Sequence, residues 1–183
     1  MPGEKRMASS PKRYLSPERE ANFPHLTKDL YEVTEDETNA YNCIALAAGD
    51  KTRRWEPDQT QVYFWPIPKR EYTVECFIEA FESLNYQRCR CSLKKRRFEK
   101  VALYHDPAGC CEAIDNFGFW HPEVLPNSPT HAAKQLPSGI WNSKLGDWEE
   151  IEHKTLKCLN GTDTTGKRVS YGEPIQILKR ALV

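Results

Sequence analysis

An α+β domain, with helices early in the chain and a mainly antiparallel sheet late, is the fold class this sequence predicts. Three observations lead there. An Ala/Leu-rich run, "YNCIALAAGD" (41–50), and an amphipathic one, "YTVECFIEAFESLNY" (72–86), come first, and strand-like runs follow, two of them flanking the turn "PSG". Helices grouped ahead of strands, instead of alternating with them, suit an α+β domain better than a parallel βαβ sheet.

Taken in order, residues 1–22 mix Pro, Ser, Lys and Arg with almost no periodic apolar content. Such a segment buries too little surface to offset the entropy of ordering, so it is expected to be a flexible tail. The remainder, 23–183, is short enough for a single core. The 41–50 run consists of strong helix formers and stops at Gly49, with Thr38, Asn39 or Asn42 as its cap; a cap at Asn42 puts Cys43 in the first turn. "QVYFWPIP" (61–68) reads as a turn or an edge strand because two prolines end it. In the 72–86 run, Val74, Phe77, Ile78, Phe81 and Leu84 form one apolar stripe at helical spacing, and Thr73 suits its start.

"CRCSLKKRR" is a basic connector whose Lys94–Arg97 run is expected to be solvated, and "FEKVALYHD" is a strand with Val101 and Leu103 on one face. Pro107 to Pro129, with four prolines and two glycines, reads as a long loop or insertion. A hairpin, "THAAKQL" and "IWNSKLG" around "PSG", follows. "EEIEHKTLKCLN" is expected to be a short helix with His153 in a capping role, and "YGEPIQILKRAL" a last strand.

The balance of charge narrows the partners. Lys plus Arg and Asp plus Glu stand at 26 each, so no long-range field gathers the molecule onto nucleic acid or anionic lipid. No apolar run approaches the ~18 residues that span a bilayer, and the first residues have no apolar signal region, so a cytoplasmic protein without membrane attachment is expected. Seven cysteines, an odd number, are then expected as free thiols.

One of these thiols has a reactive address. The first turn of a helix offers unpaired N–H groups to a thiolate at Cys43, and a histidine on a neighbouring strand is the recurring base for such a nucleophile; His131 opens one. A third polar group would hold the imidazole, and the turn decides which. If the turn is three residues, Pro137–Gly139, Ser143 shares the face of His131; if it is two, Asn142 and Lys144 do. A metal reading of Cys89, Cys91, His105, Cys110, Cys111 and His121 is disfavoured by the C-x-C and C-C spacings, and no cofactor is expected.

The segments "NAYNCIALAAG", "TVECFIEAF", "FEKVALYHD", "THAAKQLPSGIWNSKLG", "EIEH" and "YGEPIQILKR" resemble a family of small, mostly bacterial domains of unknown function. Its pattern runs Asn-Cys-Ile-Ala, Thr-His-Ala-Ala, Trp-x-Ser-Lys-Leu-Gly, Ile-Glu-His, and the likeness spans about Asn22 to Leu182. That family is similar to papain-like and NlpC/P60-like thiol hydrolases. The resemblance implies a papain-like fold, Cys43 as nucleophile, His131 as base and the "WNSK" strand as source of the third group; for His153, orienting or lining the site is the alternative to the capping role. Leu46 departs from the pattern, where an aromatic is common, and no upstream Gln stands ready for an oxyanion hole, which leaves Asn42 or the Cys43 N–H.

The expected function is thus a cysteine-dependent hydrolase or acyl/amide transferase acting on an amide or peptide-like substrate. Its competitors are a non-catalytic binding or accessory module that engages a protein partner, and a zinc-stabilised interaction domain.

Overall fold

The computed structural model describes residues 11–107, 113–114, 120–121, 128–161 and 170–182. In chain order its elements are α1 (Pro17–Glu20), β1 (Tyr31–Glu35), α2 (Cys43–Ala48), α3 (Val74–Glu82), β2 (Gln87–Cys89), β3 (Phe98–His105), β4 (Ala113–Ile114), β5 (Trp120–His121), β6 (Pro129–Gln135), β7 (Trp141–Lys144), β8 (Glu150–His153), a 3-10 turn (Leu156–Leu159) and β9 (Glu173–Ala181). Seven strands form one antiparallel sheet in the order β1-β8-β7-β6-β3-β9-β2, and β4 and β5 pair separately.

Strand alternation sorts the core into two layers. One face of the sheet offers Val101, Leu103, Ala132 and Leu178 to α2 and α3. There α3 seats Phe77, Ile78 and Phe81, the apolar stripe expected from sequence, capped by Thr73, whose hydroxyl accepts from the Cys76 amide. The opposite face offers Ala102, Tyr104, Ala133, Trp141 and Ile151 to the segment that begins at Leu15 and to Cys158 and Leu159.

Several expectations are corrected. Residues 11–22, assigned to the flexible tail, include α1, and Leu15 is buried at 5% exposure in the second core layer. "EEIEH" is a strand, not a helix: Ile151 and His153 point inward with period two, and β1, unforeseen, pairs with it through Tyr31↔His153 and Val33↔Ile151. Only the 3-10 turn is helical there. In the 61–68 stretch an isolated parallel bridge, Trp55↔Phe64, replaces the edge strand. Of the expected insertion, residues 108–112, 115–119 and 122–127 lie outside the described residues.

Within the described residues no helix is long and apolar enough to cross a membrane.

Candidate functional site

The hairpin turn settles which polar residue can meet His131. The Leu136 amide donates to the Ile140 carbonyl at 2.8 Å and the Gly139 amide to the Leu136 carbonyl at 2.9 Å, enclosing three residues, Pro137 to Gly139. The β6–β7 ladder then reads Gln135↔Trp141 and Lys134↔Asn142. By alternation Ser143 shares the face of His131, while Asn142 and Lys144 take the α2 face.

His131, Ser143 and His153 come together in one chain of hydrogen bonds. His131 Nε2 lies 3.0 Å from Ser143 Oγ, Ser143 Oγ lies 2.9 Å from His153 Nε2, and His153 Nδ1 lies 2.8 Å from the Thr155 carbonyl. All three residues are 0% exposed. Burial pulls His153 down to about 4 and, with the charge of His153, holds His131 well below its ordinary value, so both rings are neutral near pH 7.

Donors and acceptors then follow without freedom. A carbonyl only accepts, so His153 carries its proton on Nδ1 and presents a bare Nε2. The Ser143 hydroxyl must donate to that nitrogen, which leaves Oγ to accept from His131 Nε2–H. His131 Nδ1 is therefore an unprotonated lone pair. Among the described residues it is also a buried nitrogen with no hydrogen-bond partner. The ring is held flat by Tyr171, stacked at 4.1 Å, and edge-on by Tyr104 at 5.4 Å. Gly172 sets that stack: at φ +77° its backbone passes so near the His105 carbonyl that a Cβ would lie 2.0 Å from the oxygen.

Cys43 stands in the other layer, with β6 between its thiol and the His131 ring, so the structure does not bring together the thiol and imidazole expected to face each other. Cys43 opens α2, with Asn42 as N-cap and Gly49, at φ 91°, as the left-handed stop. The β6–β7 ladder covers only the turn-proximal pairs, and the Cys43 thiol meets the backbone of Ala132, the residue after His131. No hydrogen bond joins the thiol to the imidazole among the described residues; the link runs through one amide.

The electrostatics differ from the sequence expectation. Burial pushes the Cys43 thiol up, and the Ala132 and Ile44 amides and Arg54 pull against it without prevailing. Six residues of helix supply a weak field, so enclosure wins over the helix start. Thiol and imidazole both rest neutral, on opposite faces of the sheet.

The Asn42 side chain ties the start of α2 to Trp55. Its Oδ1 accepts from the Ala45 amide at 3.1 Å and the Trp55 amide at 3.3 Å, and its Nδ2 donates to the Trp55 carbonyl at 2.9 Å. On the α2 face Asn142 donates to Glu150 at 3.0 Å, and Glu150 also accepts from Tyr41 at 2.8 Å and pairs with Lys51 at 2.8 Å. Lys144, 0% exposed, donates to the carbonyls of Gly146 and Trp148.

His153 was misplaced by sequence as a helix cap, and Tyr104 and Tyr171 were not foreseen. The alternation in "EIEH" carried the signal for His153. Among the described residues no group of three His, Cys, Asp or Glu is placed to hold a metal, and Cys110, Cys111 and the side chain of His121 lie outside them.

A domain of unknown function (DUF7689) matches residues 32–179. No curated protein and no solved structure matches the chain.

Proposed function

The chain belongs to the DUF7689 family, a domain of unknown function, and from that premise we propose that it is a cysteine-dependent hydrolase or acyl/amide transferase with a papain-like arrangement. One observation carries the reading: Cys43 opens α2 directly after its Asn42 cap, with its thiol against the Ala132 and Ile44 amides, whose N–H groups can stabilise a thiolate.

In this reading the Cys43 thiol loses its proton to water and the sulfur attacks the carbonyl carbon of an amide or peptide-like substrate. The leaving amine takes a proton from water as the C–N bond breaks, and a thioester remains on Cys43. Water, or an amine acceptor, attacks the thioester and gives up a proton to solvent; the carbon–sulfur bond breaks and the thiol regains a proton. His131, across the sheet, takes no part in these steps. The Cys43 backbone N–H is the oxyanion donor that sequence had left as the alternative to Asn42.

Burial favours a second reading. His131, Ser143 and His153 are each 0% exposed, and the thiol is pushed up, which suits a non-catalytic binding module built on the same scaffold.

Alkylation separates the two. Under the thiol-enzyme reading, iodoacetamide labels Cys43 faster near neutral pH than the exposed Cys91. Labelling of Cys43 slower than Cys91 would leave the binding module.

A further inference from the structure

The neutral total of this chain conceals one strongly charged edge. Between Arg88 and Arg97 stand six cations, Arg88, Arg90, Lys94, Lys95, Arg96 and Arg97, and no anion. Lys plus Arg and Asp plus Glu balance at 26 each over the whole chain, so the remainder is negative by the same six charges. The stretch joins β2, the last strand in the sheet order, to β3, and residues 90–97 are all exposed.

The connector is exposed, as expected from sequence, and it is also pinned from beneath. Lys100 and Gln135 are buried at 2% and 3% exposure; Lys100 Nζ donates to the carbonyls of Cys91 and Leu93, and Gln135 Nε2 to that of Ser92 at 3.0 Å. A turn follows, in which the Phe98 amide donates to the Lys95 carbonyl at 3.2 Å and Arg97 takes a left-handed φ of 65°, which few side chains adopt. The Leu182 amide ties the turn to the chain end through the Arg97 carbonyl at 2.9 Å. Of the six cations only Arg88 is answered, by Glu75 and Glu82; among the described residues the other five form no ion pair. Charge held in place in this way loses less entropy on meeting a partner than charge on a loose loop.

Two leucines stand among these cations. Leu93 is 75% exposed, and Leu182, joined to Arg97, is 48% exposed. The nearest rings already carry cations on their faces, Phe98 those of Lys95 at 5.0 Å and Lys179 at 5.5 Å, and Tyr86 that of Arg180 at 4.5 Å, so they form no stacking platform for bases. A nucleic-acid backbone would offer phosphates with no apolar layer for the leucines. An anionic bilayer sets negative headgroups directly over hydrocarbon, and so answers both features.

We propose that the β2–β3 connector docks the protein on an anionic bilayer surface: Arg90, Lys94, Lys95, Arg96 and Arg97 meet the acidic headgroups, and Leu93 and Leu182 enter the boundary between headgroups and acyl chains. The attachment is peripheral and reversible. Screening over ~8 Å at physiological ionic strength keeps the attraction local, so the balanced total charge does not oppose it. The inference stands apart from any role of Cys43.

The test is co-sedimentation of the full chain with phosphatidylcholine vesicles, with and without phosphatidylserine, beside binding to a DNA duplex and to polyglutamate. Binding is expected to the vesicles that contain phosphatidylserine, not to phosphatidylcholine alone, and to fall as salt is raised. Neutralising two cations, Arg90→Gln with Arg96→Gln, is expected to weaken it by ~25-fold, about fivefold for each charge, whereas Arg90→Lys with Arg96→Lys leaves it near wild type. Leu93→Ser keeps every charge and is expected to weaken vesicle binding by ~5-fold or more while leaving any binding to duplex or polyglutamate unchanged. These side chains are exposed, and unchanged far-ultraviolet circular dichroism of each variant verifies the fold. The inference is overturned by absence of binding to the phosphatidylserine vesicles, by a double glutamine variant that binds as the wild type does, or by Leu93→Ser without effect on vesicles, which would leave a site for polyanions at large.

Discussion

Ser143 is the residue on which the polar chain turns, since one hydroxyl satisfies two imidazoles and through them fixes which nitrogen of His131 is bare. Replacing it with Ala leaves two buried Nε2 atoms without partners, each costing ~1–3 kcal/mol before the site relaxes. Ser143→Ala is therefore expected to lower the urea midpoint of unfolding. An unchanged midpoint would mean that the two imidazoles find other partners. Gly172 is the other single-residue constraint. Alanine there places a methyl 2.0 Å from the His105 carbonyl oxygen at a φ of +77°, so the backbone must move and carry Tyr171 off the imidazole. Near-ultraviolet circular dichroism of Gly172→Ala should report the altered tyrosine packing while the far-ultraviolet spectrum stays unchanged.

Among the elements, α2 and α3 were legible because their instructions are local. Asn42 and Gly49 bracket six residues, and the α3 stripe recurs at helical spacing. The hairpin was legible up to a choice between two turn lengths, and hydrogen bonds around Leu136 make that choice for Ser143. What was not legible was non-local. β1 and β8 are five and four residues long, each carries two glutamates, and each becomes a strand by pairing with the other far along the chain. The burial of Lys144 likewise depends on the layer above it. The local elements allow a firm prediction: Asn42→Ala removes the cap of α2 and leaves the Trp55 amide and carbonyl unpaired in a buried place. A loss of ~2 kcal/mol is expected, above the ~1 kcal/mol usual for a cap alone, read from chemical denaturation. Phe81→Ala, at 1% exposure in α3, should cost ~3–5 kcal/mol by the same measurement.

For the whole molecule, two neutral histidines in the core make stability a function of acidity. An unfolded chain takes up a proton on each near its ordinary pKa of about 6.5. The native fold resists, because burial pulls His153 down to about 4 and His131 well below its ordinary value. The unfolded state thus binds more protons than the native one throughout this interval, and stability must fall as pH falls. The loss begins near the unfolded value and, for His153, is complete once pH has passed about 4. Carboxylates held low in the fold, among them Asp58 and Glu99, contribute their own loss only further down, where unfolded carboxylates start to protonate. Between about pH 7 and about pH 5 the histidines dominate; His153 is expected to withdraw about 2 kcal/mol, and His131 adds a loss of the same sign. Urea unfolding at steps across that interval should therefore show a steadily falling midpoint, and His153→Gln, which removes one of the two protonation sites, should flatten the slope relative to its own value near neutral pH. A wild-type midpoint that stays level over this range would mean that the imidazoles take up protons in the folded state, and the neutral relay that leaves His131 Nδ1 bare would have to be abandoned.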